Sequence, residues 1–293
     1  MTFVKQVRAA IEMAKTSGIS PTMERMLNFA HARIHDRRRR IQFRRLRLQE
    51  PLVRDILGCQ MKLDPSHRGL DRDLLLDGIR EPIATGYIMR MLNSNDVVLE
   101  VGANLGYYAL IEARMCQKVY AVEPHPGNYQ RLEENVALND FTNIDTFNLA
   151  FGSVEGEIPM QCSLLSNWHS CRDVEHGAKN TIAVPCTRID TFSNQHGYPT
   201  FIKMDVEGFE LEVLKGAVET LNKVRCVFLE LHGDVLKVEE IREVIDLLTK
   251  AGLQPSLVAQ YDRPGMARTY PVSHIANIYN GDRGTYELFF LRK

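Results

Sequence analysis

Apolar positions follow two rhythms along this chain. From residue 97 onward, short apolar runs alternate with longer stretches in which apolar residues recur every three or four positions. The runs Val97–Val101, Lys118–Val122, Ile144–Asn148, Phe201–Met204, Arg225–Leu231, Gln254–Val258 and Tyr286–Leu291 are predicted strands. The stretches Tyr107–Cys116, Gly127–Asn139, Glu207–Leu221 and Val238–Ala251 are predicted helices. Buried strands alternating with helices imply an α/β, Rossmann-like fold, a mostly parallel seven-stranded sheet with helices on both faces. The last strands, after the final long helix, could include an antiparallel pair. Between about residues 153 and 200 the alternation breaks. Only short strand-like runs occur there (Glu157–Gln161, Thr181–Pro185), as expected of an insertion near the ligand face.

The first part of the chain has a different rhythm. Residues 1–48 read as a basic helical extension, and residues 49–92 as a hairpin (52–64) followed by an amphipathic helical region from Arg72 to Leu92, interrupted at Pro82. Residues 93–293 form the main domain. The formal net charge of −1 hides an asymmetry, because eight arginines fall between Arg33 and Arg47. No run approaches the roughly 20 apolar residues needed to span a bilayer. The six cysteines form no CxxC pair, which fits reduced thiols and a cytoplasmic setting. A short N-terminal amphipathic pattern (Phe3, Val4, Val7, Ile11) suits packing on the domain or lying on a membrane surface.

Chemistry enters at the strand ends. In VVLEVGANLGYYAL an apolar strand meets a glycine turn and then a helix. Gly102 and Gly106 allow a tight turn and close backbone approach to a ligand. Glu123 ends the next strand, where a carboxylate can accept both hydrogen bonds of a ribose diol. The bland alternative is a structural βα turn with an exposed acid. A dehydrogenase fingerprint wants G-x-G-x-x-G. Here Asn104 replaces the middle glycine and bulky Tyr107 and Tyr108 follow, which weighs against NAD.

The E-x-G-x-N-x-G form with an acid after the second strand matches class I S-adenosylmethionine-dependent methyltransferases. Together with EPHP, TRIDTF (187–192), KMDVEGFE (203–210) and FLELHG (228–233), it closely resembles the FkbM family over residues 50–292. The resemblance implies S-adenosylmethionine as cofactor and methyl transfer to a hydroxyl of a sugar, glycan or other small metabolite. It places Glu100 near the methionine amino group. Gly102, Asn104, Gly106 and Tyr107 cover the cofactor, Glu123 and Pro124 meet its ribose, and Asn148 and Ala150 lie at its adenine.

Methyl transfer needs an aligned acceptor oxygen and help in removing its proton. Asp205, just past the fourth core strand, is the first candidate for base or acceptor orienter. His232 has the better intrinsic pKa. Glu207 and Lys203 complete the catalytic candidates. Each has a structural alternative: Lys203 could simply pair with Asp205 or Glu207, and Glu207 and Glu210 could serve a helix dipole. Trp168, His169 and Glu230 are acceptor-side candidates, although Trp168 equally suits anchoring the insertion. No ligand spacing assigns a metal site. The arginine run makes RNA a second acceptor class, through phosphate contacts, with a solvated helix or an oligomer contact as its plainer reading. A non-catalytic fold relative that binds partners through its insertion is a third reading, against which the retained motifs weigh.

Overall fold

In the computed structural model the described residues are 39, 41–42, 50–67, 69–163, 169–172, 179–261 and 267–293. The predicted N-terminal helical extension, apart from three of its residues, lies outside them, as does Trp168.

Strands β1 (Leu52–Ile56) and β2 (Cys59–Leu63) form an antiparallel hairpin. Its turn is Leu57 and Gly58, both at positive φ. Helices α1 (Leu70–Asp77) and α2 (Pro82–Met91) follow, with Pro82 at the first turn of α2, where its missing N–H costs no hydrogen bond. The break between them is therefore a fresh helix start rather than a kink.

The core strands are β3 (Val97–Val101), β4 (Lys118–Val122), β5 (Ile144–Phe147), β9 (Phe201–Met204), β10 (Cys226–His232), β11 (Leu253–Tyr261), β12 (Ala267–Tyr270) and β13 (Thr285–Arg292). They form one sheet in the order β12-β11-β13-β10-β9-β3-β4-β5. Five neighbouring strands, β5 to β10, run parallel, while β13 is antiparallel to both β10 and β11. Eight strands stand where the sequence pattern predicts seven. The additional one, β12, is a sheet edge whose half-exposed ARTY carries no apolar rhythm. Every residue of β9 and six of the seven in β10 are buried, as the near-continuous apolar runs require.

Helices α3 (Tyr107–Ala113), α4 (Pro126–Ala137) and α8 (Val238–Lys250) lie where periodicity places them. The predicted helix 207–221 is instead two short helices, α6 (Glu210–Lys215) and α7 (Val218–Leu221). Two causes are visible. Glu207 and Gly208 adopt left-handed backbone, so the helix starts late. At Gly216 a Cβ would lie 2.0 Å from the carbonyl oxygen of Gly152, so close chain contact interrupts the helix.

Between residues 150 and 187 a second, three-stranded sheet forms, in the order β6 (Ala150–Phe151), β8 (Thr181–Thr187), β7 (Gly156–Gln161). It has its own apolar cluster of Ala150, Ile158, Met160, Val184 and Cys186. Helix α5 (Ile189–His196) then returns the chain to β9, and the short α9 (Ile275–Tyr279) precedes β13. All six cysteines are free thiols. No helix among the described residues is long and apolar enough to cross a membrane.

Gly216→Ala is expected to lower the unfolding free energy by about 1–3 kcal/mol, the usual range for forced overpacking. Denaturant melts check this; an unchanged midpoint would show that the contact with Gly152 relaxes freely.

Candidate active site

The carboxyl ends of β3, β4 and β9 meet at one edge of the sheet, where open α/β sheets bind ligands. The turn after β3 is drawn across that edge. The amides of Gly102 and Ala103 both donate to the carbonyl of Val122, at 3.0 and 2.9 Å. Gly102 has φ +83°, and a Cβ there would lie 2.0 Å from the carbonyl oxygen of Asp205. Only glycine permits this approach of two turns. Asn104 is also left-handed, and Gly106, left-handed in turn, caps the start of α3.

Glu123 ties the turns together. Its Oε2 accepts from the Asn104 amide and its Oε1 from the His125 amide, both at 2.9 Å. The bland reading of an exposed acid fails, because Glu123 is only 4% exposed. Burial pushes its carboxyl up to about 7, against the opposing pull of those two amides. The Asn128 side chain is a third hydrogen-bond partner, which leaves the carboxylate one lone pair that could accept from a hydroxyl. Asn148 follows β5. Its side-chain amide donates to the carbonyls of Glu123 and Pro124, at 2.8 and 3.0 Å, and so braces the turn that carries Glu123.

A cavity of about 600 Å³ opens between these turns and the small sheet. Gly102, Asn104 and Glu123 form one wall, and Leu149, Ala150 and Phe151 another. Pro124, His169, Asp205 and Glu207 also face it. The His169 ring stacks on His125 with centroids 3.9 Å apart and planes 4° off parallel. Burial, with His125 alongside, lowers His169 to about 4, so the stack is of neutral rings.

A second cavity, of about 380 Å³, shares Gly102, Asn104 and Asp205 with the first and extends toward Tyr107, Glu81 and Arg80. On its wall Lys203 pairs with Glu100 at 3.0 Å, both nearly fully buried. Lys203 therefore does not pair with Asp205 or Glu207, as the sequence alone allowed. Burial pushes Glu100 up to about 7 while Lys203 opposes it, and neighbouring Glu112 is driven well above the carboxylate range by burial and by Glu100. Burial opposes the charge on Lys203, but Glu100, Asp205 and Glu81 outweigh it and raise its pKa.

His232 requires a correction. Its Nδ1 lies 2.6 Å from Glu210 Oε1 and its Nε2 lies 3.2 Å from Glu207 Oε2. Burial disfavours its charge, yet the hydrogen bonds to both carboxylates raise its pKa well above the ordinary histidine range. An imidazolium held at both nitrogens has no lone pair for a proton. Its two nitrogens instead face Glu210 and Glu207 in this structure. Of the two acids expected in a first helical turn, Glu210 does begin α6 and is fully buried against His232, whereas Glu207 precedes the helix at φ +51°. Donor atoms of Asp205, Glu207 and His232 lie within 4.8 Å of one another, a spacing that a cation could bridge. Glu230, on β10, is driven well above the carboxylate range by burial and by Asp205 and Glu81. Arg80 and Glu81, not among the site residues named from the sequence, reach this edge from the segment before the core.

Residues 100–255 match the family described as Methyltransferase FkbM domain. The chain is 29% identical over 172 residues to hexuronic acid methyltransferase AglP of Haloferax volcanii, spanning 58% of this chain and 68% of that protein. It is 27% identical over 216 residues to 2-O-methyltransferase NoeI of Sinorhizobium fredii, spanning 64% of this chain and 85% of that protein. Among solved structures it is similar to methyltransferase FkbM from Methylobacillus flagellatus, with 19% identity and a TM-score of 0.43. That match covers 67% of this chain and 43% of that one. The family match and these relatives make the chain an S-adenosylmethionine-dependent methyltransferase. The chain belongs to the FkbM methyltransferase family.

The residues present fit the nucleoside of this cofactor. Gly102 and Asn104 line the cavity with backbone, Glu123 offers a carboxylate to a diol, and Leu149 and Phe151 provide apolar surface for a base. Hydroxyls donating to Glu123 favour its ionised form, so cofactor affinity is expected to rise with pH through about 7. Glu123→Gln is expected to weaken binding about tenfold or more at pH 8, by losing charge-assisted hydrogen bonds, and to flatten the pH dependence. Calorimetric titration from pH 6 to 8 checks both; an unchanged slope in the variant would remove Glu123 from the ribose.

Proposed function

We propose that this enzyme methylates a hydroxyl group of a sugar or glycan. The observation that carries the reading is Asp205. Its Oδ1 is buried and has no hydrogen-bond partner among the described residues, and the residue stands where the two cavities join. Bound in the first cavity, S-adenosylmethionine supplies a methyl group activated by its sulfonium.

What remains for the protein is to present an acceptor oxygen in line and to receive its proton. A carboxylate is a far weaker base than an alkoxide, so Asp205 takes the proton as the new bond forms rather than beforehand. His232 acts as a positioning residue that holds Glu207 at the cavity wall through its imidazolium. His169, stacked on His125, also lines the first cavity. The similarity to a hexuronic acid methyltransferase and a 2-O-methyltransferase supports a carbohydrate acceptor.

Asp205→Asn keeps the shape and removes the charge. It is expected to lower turnover by about 10²–10⁴-fold, the usual worth of a positioned acid–base group, while leaving S-adenosylhomocysteine affinity within about threefold. Parallel losses in both would assign Asp205 to holding the cofactor. Incubation with methyl-labelled cofactor and a panel of uronic-acid and neutral oligosaccharides is expected to label saccharide; label confined to an RNA fraction would overturn the carbohydrate assignment.

A further inference from the structure

Donor atoms of two kinds converge where β9 and β10 end. Asp205 and Glu207 belong to the turn after β9, and His232 is the last residue of β10. One ligand atom from each lies within 4.8 Å of the other two. Ligands bound at about 2.1 Å around one ion stand about 3–4 Å apart, so small side-chain shifts bring these three onto a common centre.

The histidine sets this group apart from an acidic patch. It is 6% exposed, and the fully buried Glu210 faces its Nδ1 at 2.6 Å. Glu210 is fixed in turn, because its Oε1 accepts from the Gly208 amide at 3.0 Å. The ring is thereby held with its Nε2 toward Glu207 Oε2, 3.2 Å away. A carboxylate that holds one imidazole nitrogen and aims the other at ligand oxygens is the usual support of a metal-bound histidine. A proton on Nε2 bridges the same pair, so proton and metal are alternatives there.

Asp205 supplies an independent sign. Its Oδ1 is buried yet accepts no hydrogen bond among the described residues. Such an oxygen calls for a donor or a cation. Two side-chain cations near this turn are committed elsewhere: Lys203 to Glu100, and Arg172 to Glu240 and the Gly208 carbonyl. Glu230 adds further negative charge beside Asp205 when ionised.

We infer that Asp205, Glu207 and His232 bind one divalent metal ion, best matched by Mn²⁺. Two carboxylates ask for a hard ion, while the imidazole disfavours Mg²⁺ and Ca²⁺, which take oxygen ligands. Three protein ligands leave positions open on an octahedral ion, and Asp205 stands where the two cavities join. A saccharide hydroxyl bound to the ion there becomes more acidic. Its proton passes to the Asp205 oxygen not on the metal, its oxygen bonds the methyl carbon, and the carbon–sulfur bond breaks to leave S-adenosylhomocysteine. That acceptor role rests on the proposed function; the metal site itself does not.

The full chain, stripped with a chelator and dialysed, is titrated with MnCl₂ while free Mn²⁺ is read by electron paramagnetic resonance. Wild type is expected to bind one Mn²⁺ per chain. Glu207→Gln and His232→Gln are each expected to weaken that binding tenfold or more. Glu207→Gln, at the cavity wall, guards against a histidine variant that fails to fold; its S-adenosylhomocysteine affinity by calorimetry is expected to stay within threefold of wild type. No stoichiometric Mn²⁺ binding, or binding that Glu207→Gln leaves unchanged, would overturn the site. Saccharide labelling that survives the chelator at full rate would overturn the acceptor role alone. Label that never reaches saccharide, with Mn²⁺ still bound, would overturn the carbohydrate assignment and leave the metal site standing.

Discussion

The site depends on one contact: the turn after β3 lies so close to the turn after β9 that no side chain fits between them. The carbonyl of Asp205 occupies the place where a Cβ on Gly102 would stand. Because the Gly102 and Ala103 amides are bonded to Val122 and the Asp205 amide to Val101, both turns are fixed to the sheet on which they sit. Asp205 therefore has a defined position relative to Glu123, although the two residues come from different strands. Preorganisation of this kind is what methyl transfer requires, since little covalent work falls to the protein.

Around that contact the charges form two groups of opposite character. Beneath the turn, Lys203, Glu100 and Glu112 make a buried set in which one ammonium holds one carboxylate and the second carboxyl is driven toward neutrality. Beside it, His232 holds Glu207 and Glu210. In both groups a buried cation is fully engaged, which explains why neither Lys203 nor His232 is at liberty to exchange protons with an acceptor. Removing one partner of such a set leaves a buried charge uncompensated, so these groups fix geometry.

Much of this was legible in the sequence. The parallel strands were readable because each is a short apolar run followed by a turn or helix signal. Gly102 and Glu123 were readable because their roles follow from backbone freedom and strand-end position. The break at Gly216 was not, since it arises from a contact with Gly152, more than sixty residues away in the chain. His232 was misjudged for the same reason: its residue type implies a titrating base, and only its neighbours Glu207 and Glu210 show otherwise. Asn148 followed a strand as expected, yet its amide turned to the backbone of Glu123 and Pro124. Arg80 and Glu81 fall in the run Leu70–Pro82, which resembles the segment before the glycine motif in the FkbM family, but only the contacts with Tyr107 and Tyr108 single them out.

The most direct test is a crystal structure of the chain with S-adenosylhomocysteine. The expected density places the ribose diol on Glu123 and the sulfur beside Asp205. A ligand lying away from the Gly102–Asn104 turn, or bound with its two ends exchanged, would contradict this arrangement.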